Sequence, residues 1–153
     1  MIKSTNQHGV HSPFVYDFVN KGLYKKDSKN NTSIEYSELK NLSKKEKKIL
    51  SKIIAYFNID TIYFDIDSLN KTLDKDYKLL YINNILKFNL SFLNQLKSKD
   101  ILIIKGIHHN KNSNQAWLKI IKHKETTVTI DLFYFGIIFL RKKQAKEHFI
   151  IRV

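Results

Sequence analysis

Apolar residues follow one another without interruption at 101–104, where the sequence reads Ile-Leu-Ile-Ile, and the run stops at Lys105 and Gly106. A short unbroken apolar run that ends at a glycine is typical of a buried central strand. In open α/β sheets, ligands bind outside the carboxyl ends of such strands. The pattern therefore predicts a central strand and makes 105–109 the first place to look for a functional site.

Helical spacing of apolar residues predicts helices on both sides of this strand. Ser12 fits an N-cap and Pro13 a first helical position, followed by apolar residues at helical spacing as far as position 24. The residues Ser-Lys-Lys-Glu at 43–46 fit a capping box and begin a second helix that extends to position 57. Two more helices are predicted at 86–96 and 112–123, with a helical turn at 34–42 and a polar loop at 25–33.

Segments rich in β-branched and aromatic residues predict strands. These strands are placed at 61–66, 77–82, 126–133, 136–140 and 148–152. Their combination with helices indicates an α/β fold. The 153 residues are enough for a single domain, in which 1–42 form an N-terminal helical cap and loop and 43–153 form the α/β body.

The chain is strongly basic, with 27 lysine and arginine residues against 14 acidic ones and a formal net charge of +13. Such a balance favours acidic partners, nucleic acid among them. All the basic residues except Arg141 and Arg152 are lysines, whereas recognition of phosphates and bases usually relies on arginine. Lysine, asparagine and isoleucine are over-used along the whole chain and have AT-rich codons. Mutational bias is therefore the favoured explanation of the charge, and weak nucleic-acid binding is the alternative.

Three absences in the sequence narrow the class of protein. The absence of cysteine excludes disulfides, thiolate metal ligands and cysteine nucleophiles. No stretch approaches the roughly 20 consecutive apolar residues that a membrane helix needs. The first residues contain no apolar segment of the kind found in secretory signals. We therefore expect a cytoplasmic protein without membrane contact.

Both ends of the chain carry motifs of a known family. The stretches 8–16 (HGVHSPFVY), 127–136 (TVTIDLFYFG) and 146–153 (KEHFIIRV) resemble a group of bacterial class I S-adenosylmethionine-dependent methyltransferases. The resemblance covers 1–24 and 99–153 well, and 43–57 is similar to the helix that precedes the family's first strand. It implies a Rossmann-like sheet, S-adenosylmethionine as cofactor and methyl transfer to an acceptor that the sequence does not identify.

The cofactor motif of the family is altered in this chain. In the resembling enzymes the first strand ends in an acidic residue and a glycine-rich turn, which lets the backbone approach the cofactor. Here the corresponding segment 64–70 (FDIDSLN) contains no glycine. Phe64 takes the acidic position, unless a shift of one residue lets Asp65 or Asp67 serve. By position alone, the candidate cofactor-binding residues are Asp65, Asp67, Ser68 and Asn83.

Other family features are reduced or replaced. The resemblance implies that the family's second and third strands are deleted, since the strand at 77–82 follows Asp67 almost at once. A parallel crossover needs a dozen or more residues, so that strand runs antiparallel or, as we favour, follows a cramped crossing. An acidic strand end becomes Asn83, and the family's carboxylate pair after the central strand becomes Lys105 and Gly106.

The predicted fold is therefore a reduced Rossmann-like methyltransferase sheet. It is mostly parallel, is closed by a C-terminal antiparallel hairpin, and leaves the strand at 61–66 near an exposed edge.

The candidates for a catalytic role are His108 and His109, which follow the central strand. With His8 and His11 they form the only histidine cluster that a fold could bring together, and capping or surface hydrogen bonding is favoured over metal binding. No metal site is predicted. Asp131 lies between two apolar residues of a predicted strand, so we expect it to form a structural ion pair or to face outward rather than to act in catalysis.

The remaining aromatic and basic clusters have simple structural interpretations. Trp117 and the aromatic residues at 133–135 are assigned to the core, although Tyr134 could line a pocket. Lysines at 44, 45, 47 and 48 and at 142, 143 and 146 form two basic clusters that are expected to face solvent. If they shared one side they could follow a phosphate backbone, but stacking aromatics are not interleaved with them.

Three functional hypotheses follow. The favoured one is a methyltransferase-like protein whose cofactor site is lost or impaired, which leaves enzymatic activity open. The alternative is a basic module that binds RNA or another acidic partner on the same scaffold. An active enzyme with a rebuilt site ranks last.

Overall fold

The computed structural model describes residues 2–4, 12–26, 36–73 and 76–153. The predictions for His8, His11 and most of the loop at 25–33 lie outside these residues. Across the described segments, no helix combines the length and the apolar character that crossing a membrane requires.

One mixed sheet organises the described part of the chain. Its strands are β1 (Ile2–Ser4), β2 (Ile62–Tyr63), β3 (Lys78–Ile82), β4 (Asp100–Lys105), β5 (Val128–Asp131), β6 (Phe135–Phe139) and β7 (Glu147–Ile151). They lie in the order β1-β7-β5-β6-β4-β3-β2, with β6 antiparallel between β4 and β5, and β1 antiparallel to β7. The other neighbours are parallel, so five of these seven described strands point in one direction. The predicted α/β fold with a mostly parallel sheet is confirmed.

Helices cover both faces of the sheet. The α-helices are α1 (Pro13–Phe18), α2 (Lys44–Phe57), α3 (Ile66–Asn70) and α4 (Lys111–Lys122). A π-helical turn (Val19–Leu23) continues α1, and shorter 3₁₀ turns are Ser37–Leu39, Ile85–Lys87 and Leu90–Gln95. The helices α1 and α2 pack with one face of the sheet, and α4 packs with the other.

The predicted central strand is confirmed as β4. Ile101 and Ile103 join the core on the α2 side, and Leu102 and Ile104 join the core on the α4 side. All four side chains are completely buried. Successive side chains of a strand point to opposite faces of the sheet, and both faces of this strand are covered by other parts of the protein. An uninterrupted apolar run is therefore needed here.

The two predicted helix starts are also confirmed. The hydroxyl of Ser12 accepts a hydrogen bond from the Val15 N–H, and Pro13 occupies the first turn. The capping box of α2 is complete, because the Glu46 N–H donates to Ser43 Oγ (3.1 Å) and the Ser43 N–H donates to Glu46 Oε2 (2.7 Å). Such reciprocal bonds satisfy donors that a helix start otherwise leaves unpaired.

Two predicted elements differ from the structure. The strand at 61–66 is limited to β2 because Asp65 accepts a hydrogen bond from the Ser68 N–H (2.7 Å) and thereby begins α3. The predicted helix at 86–96 forms 3₁₀ turns instead, because the side chains of Asn84 and Asn89 cap short local turns. Asparagine side chains compete in this way with regular helix hydrogen bonding.

The strand at 77–82 runs parallel to both neighbours, as favoured from the sequence. Ile62 of β2 lies opposite Leu79 of β3, and Leu79 lies opposite Ile101 of β4. The short helix α3 lies within the crossing between β2 and β3. This arrangement leaves β2 at an edge of the sheet, as predicted.

Trp117 of α4 packs on Gly136 of β6. A β-carbon at Gly136 would lie 2.6 Å from the indole atoms Cη2 and Cζ3, closer than van der Waals contact allows. The missing side chain therefore makes room for the indole ring, and Trp117 is 2 % exposed. The assignment of Trp117 to the core is confirmed.

Candidate functional site at the carboxyl edge

The strands that point in one direction all end at the same edge of the sheet, which we call the carboxyl edge. The residues that follow or end these strands include Asp65, Asn83, Lys105, Asp131 and Arg152. The N-terminus of α2 lies at this edge too, since Glu46 contacts Lys105. Charged side chains from distant parts of the sequence thus lie along the carboxyl edge.

His108 and Asp131 meet at the carboxyl edge. After β4, Gly106 turns the chain with a φ of 85°, a conformation that favours glycine, and Ile107 is fully buried. These two residues hold His108 beside the end of β5, where its Nε2 lies 2.5 Å from Oδ2 of Asp131. The histidine side chain is 32 % exposed while that of Asp131 is buried. A histidine oriented by a buried carboxylate is an arrangement that can serve acid–base chemistry.

Asp131 has further partners that account for its burial. Its Oδ1 accepts a hydrogen bond from the Phe133 N–H (2.8 Å) and lies 3.5 Å from Nη1 of Arg152. The same guanidinium donates to the carbonyl oxygen of Asp131 (3.2 Å). Buried carboxylates require such partners. The expected structural pairing of Asp131 is confirmed, and the structure identifies His108 and Arg152 as the partners.

Phe133 corrects the prediction that the aromatic residues at 133–135 all lie in the core. Phe135 is fully buried and Tyr134 half-buried, but Phe133 is 52 % exposed. Its backbone is left-handed, with a φ of 73°. The His108 ring stacks beside the Phe133 ring at a centroid distance of 5.9 Å, and the Arg152 guanidinium lies 5.7 Å from its centroid.

A second charged cluster lies where α2 meets β4. Nζ of Lys105 lies 3.2 Å from Oε1 of Glu46, and Nζ of Lys45 lies 5.4 Å from the centre of the Tyr134 ring. Burial raises the pKa of Glu46, but the Ser43 N–H and the Lys105 ammonium outweigh it and leave that pKa below its ordinary value. Glu46 is therefore an ionised partner for Lys105. The resemblance implies a carboxylate pair after the central strand. In this chain the position holds Lys105, whose charge is neutralised by Glu46 of α2.

Two of the positional cofactor candidates, Asp65 and Ser68, are hydrogen-bonded to each other. Oδ1 of Asp65 accepts from the Ser68 N–H (2.7 Å), and its Oδ2 accepts from the Ser68 hydroxyl (2.8 Å). These hydrogen bonds, the backbone one first, lower the pKa of Asp65. Asp67 and Asn83 are exposed. Asp65 and Ser68 thus act together as a helix cap at the edge strand.

Phe64 fills the space beside these candidates. Its ring centroid lies 5.4 Å from that of Tyr36 and 6.0 Å from that of Tyr81. Tyr81 is itself buried and lies edge-on to Phe135 at 6.3 Å. A row of aromatic rings therefore occupies the α2 side of the sheet above the ends of β2 and β3.

The other predicted clusters do not converge. His109 is exposed, and within the described segments no three His, Cys, Asp or Glu residues form a group that could hold a metal ion. The lysine cluster at 44–48 begins at the carboxyl edge, whereas the cluster at 142–146 follows β6, which ends at the opposite edge. The two clusters do not share one side. Contrary to expectation, Lys45 does have an aromatic neighbour, Tyr134.

Sequence reasoning missed a cleft of about 390 Å³ at the end of the sheet opposite the carboxyl edge. It is lined by Ile121, Lys122, Thr126, Thr127, Thr129, Lys146, Glu147 and His148. Burial lowers the pKa of His148, and nearby Asp131 and Thr129 only partly offset this effect. Threonines of one strand and charged residues of another give no local signal that they line one cleft.

Comparison of the chain with protein-family models, with curated proteins and with solved structures found no match.

Proposed function

We propose that this chain is an S-adenosylmethionine-dependent methyltransferase-like protein whose cofactor site has lost its function. The observation that carries the proposal is the packing of Phe64. The resemblance implies an acidic residue at this strand end, but the ring of Phe64 lies among Tyr36 and Tyr81. A phenyl ring has no hydrogen-bond acceptor to offer a cofactor, and its neighbours occupy the adjoining space.

The polar residues beside Phe64 do not fit the cofactor either. Asp65 and Ser68 are joined by two hydrogen bonds that begin α3, so a ribose or an amino group would have to share the Asp65 carboxylate with the helix cap. The segment 64–70 has side chains where the resemblance implies glycines, and these would obstruct the approach of the cofactor to the backbone. The segment therefore lacks the glycine-rich turn that the resemblance implies for close approach of the cofactor.

The arrangement of the sheet supports descent from such an enzyme. The parallel strands β2, β3 and β4 are followed by a hairpin whose second strand, β6, inserts antiparallel between β4 and β5. A parallel sheet that is shortened at one edge and closed by a hairpin is what the resemblance predicts. In this proposal, the order and direction of the strands are kept from the ancestral enzyme, whereas the cofactor-binding segment 64–70 is altered.

Isothermal titration calorimetry with S-adenosylmethionine and with its demethylated product tests the proposal. We expect no binding tighter than about 1 mM for either compound, because Phe64 replaces the acidic residue and side chains replace the glycines of the turn. A methyltransferase with an intact glycine-rich turn, titrated in the same buffer, is the positive control. A dissociation constant in the micromolar range would overturn the proposal.

A second candidate function is the binding of RNA by the basic surface. It is favoured by the carboxyl edge, where Lys45 and Arg152 lie beside the rings of Tyr134 and Phe133. Cations next to aromatic rings are typical of single-strand binding surfaces. We expect the whole chain to shift total RNA in a gel at about 50 mM salt and to release it at higher salt. Failure to shift RNA at low salt would eliminate this candidate.

A further inference from the structure

Phe133 combines two features that the β5–β6 turn does not require. Its side chain is 52 % exposed, and its φ of 73° lies in the left-handed region. Glycine or asparagine supplies a positive φ in a turn at lower cost, because a larger side chain crowds the backbone there. The fold thus bears the cost of an exposed apolar ring and of a strained backbone at the same residue. Such a combination is characteristic of functional positions.

The surroundings of Phe133 fix the ring without covering it. Asp131 anchors its backbone N–H at 2.8 Å and holds His108 and Arg152, which flank the ring. Tyr134 lies edge-on to the ring, with a centroid distance of 5.4 Å and an interplanar angle of 89°. The offset His108 ring, inclined by 26°, leaves more than half of the Phe133 surface accessible. One buried carboxylate therefore orients the whole exposed group.

The charges around this platform favour a polyanion as its ligand. Lys45 extends the positive surface across Tyr134, and the two carboxylates named here are each paired with a cation, Asp131 with Arg152 and Glu46 with Lys105. A lipid surface would instead require a contiguous apolar patch. The ring and cation contacts of Phe133 are made by a histidine, an arginine and a tyrosine. Planar bases linked by phosphates match both the ring and the cations.

We propose that the Phe133 platform, composed of Phe133, His108, Arg152 and Tyr134, is a stacking site for single-stranded RNA. One base stacks on the exposed surface of Phe133, while Arg152 and Lys45 contact the neighbouring phosphates. This inference rests on the second candidate function, since it assigns that RNA binding to one site and one interaction. It does not depend on the state of the cofactor site.

Fluorescence anisotropy tests the site with two labelled 12-nucleotide probes, oligoadenylate RNA and a ribose-phosphate strand of equal length without bases. We expect the wild-type chain to bind oligoadenylate about 5- to 150-fold more tightly than the abasic strand, which is the range for stacking of one base. Phe133→Asn should remove this preference and leave the affinity for the abasic strand unchanged. Asparagine tolerates the left-handed backbone, so the variant should remain folded.

Tyr16→Asn is the matched control. Tyr16 is 59 % exposed on α1, whose cap Ser12 contacts Gln144 at the edge of the sheet opposite the platform. This variant should retain the wild-type preference, and Phe133→Trp should retain or increase it. RNA binding that Phe133→Asn leaves unchanged would overturn the site but not the second candidate function. Absence of RNA binding by the wild type would overturn both, as would binding of anionic phosphatidylserine vesicles in place of RNA.

Discussion

Asp131 shows how much of the molecule one residue can organise. It lies in an apolar strand, and its side chain contacts His108, Arg152 and the backbone of Phe133. A buried carboxylate with fewer partners would be strongly unfavourable. The sequence predicts that Asp131 needs a partner, because its neighbours are apolar. It does not indicate that the partners lie 23 and 21 residues away in opposite directions along the chain.

His148 leads to a prediction for the pH dependence of stability. Burial lowers its pKa in the folded chain, so the unfolded chain, with an ordinary value of about 6.5, binds the proton more readily. The free energy of unfolding should therefore fall as the pH is lowered from about 7.5 through 6.5 toward 5.5. Urea unfolding at several pH values measures this fall.

His148→Gln is the variant that isolates this effect. Glutamine keeps a polar group near Thr129 Oγ1, which lies 2.7 Å from Nδ1 of His148, but does not titrate. The variant should lose less stability than the wild type over the same pH interval. Equal losses in the two proteins would show that burial of His148 does not contribute to the pH dependence.

At the scale of elements, the helix starts were predictable and the lengths of some elements were not. Each cap is formed within four consecutive residues, as in the Ser43–Glu46 box, so a sequence window contains the whole interaction. The end of β2 and the 3₁₀ turns at 85–95 depend on Asp65, Asn84 and Asn89 forming local hydrogen bonds in place of a regular ladder. The spacing of apolar residues does not show whether side-chain hydrogen bonds will replace the regular backbone hydrogen bonds of a helix or strand.

The contact between α4 and β6 gives a prediction at this scale. Gly136→Ala would place a methyl group 2.6 Å from the Trp117 indole, so α4 must move away from the sheet or the ring must leave its position. We expect a loss of about 1–3 kcal/mol in the free energy of unfolding, as is usual for overpacking. Urea unfolding of the variant measures the loss.

A double-mutant cycle shows whether the loss comes from this contact. Combining Gly136→Ala with Trp117→Phe, which shortens the ring, should cost less than the sum of the two single substitutions. Strict additivity, or a Gly136→Ala variant as stable as the wild type, would contradict the proposed contact.

For the whole molecule, the sheet order separates features that are neighbours in the sequence. The hairpin of β5 and β6 places Phe133 and Tyr134 at the carboxyl edge, while the lysines after β6 lie at the opposite edge. The two predicted lysine clusters therefore lie at opposite edges of the sheet rather than on one face. The positive charge relevant to the proposed RNA site is that of Lys45 and Arg152, which lie beside aromatic rings.

The sequence alone determined the local structure of this protein. The apolar run at 101–104 predicted the central strand, and Ser12 and Ser43 predicted the starts of α1 and α2, because periodicity and capping involve residues within one or two turns. It also predicted that the central strand ends at Lys105 and Gly106 and that His108 follows shortly after that end.

Tertiary structure alone decided which of these residues meet. Pairing of the strands brought Asp131 to His108, exposed Phe133 instead of burying it, and set Phe64 between Tyr36 and Tyr81. The three-residue strand β1 likewise exists by pairing with β7, and so short a segment carries no periodicity of its own. Contacts between distant segments depend on the order and direction of all strands together, and that order is not contained in any single stretch of the chain.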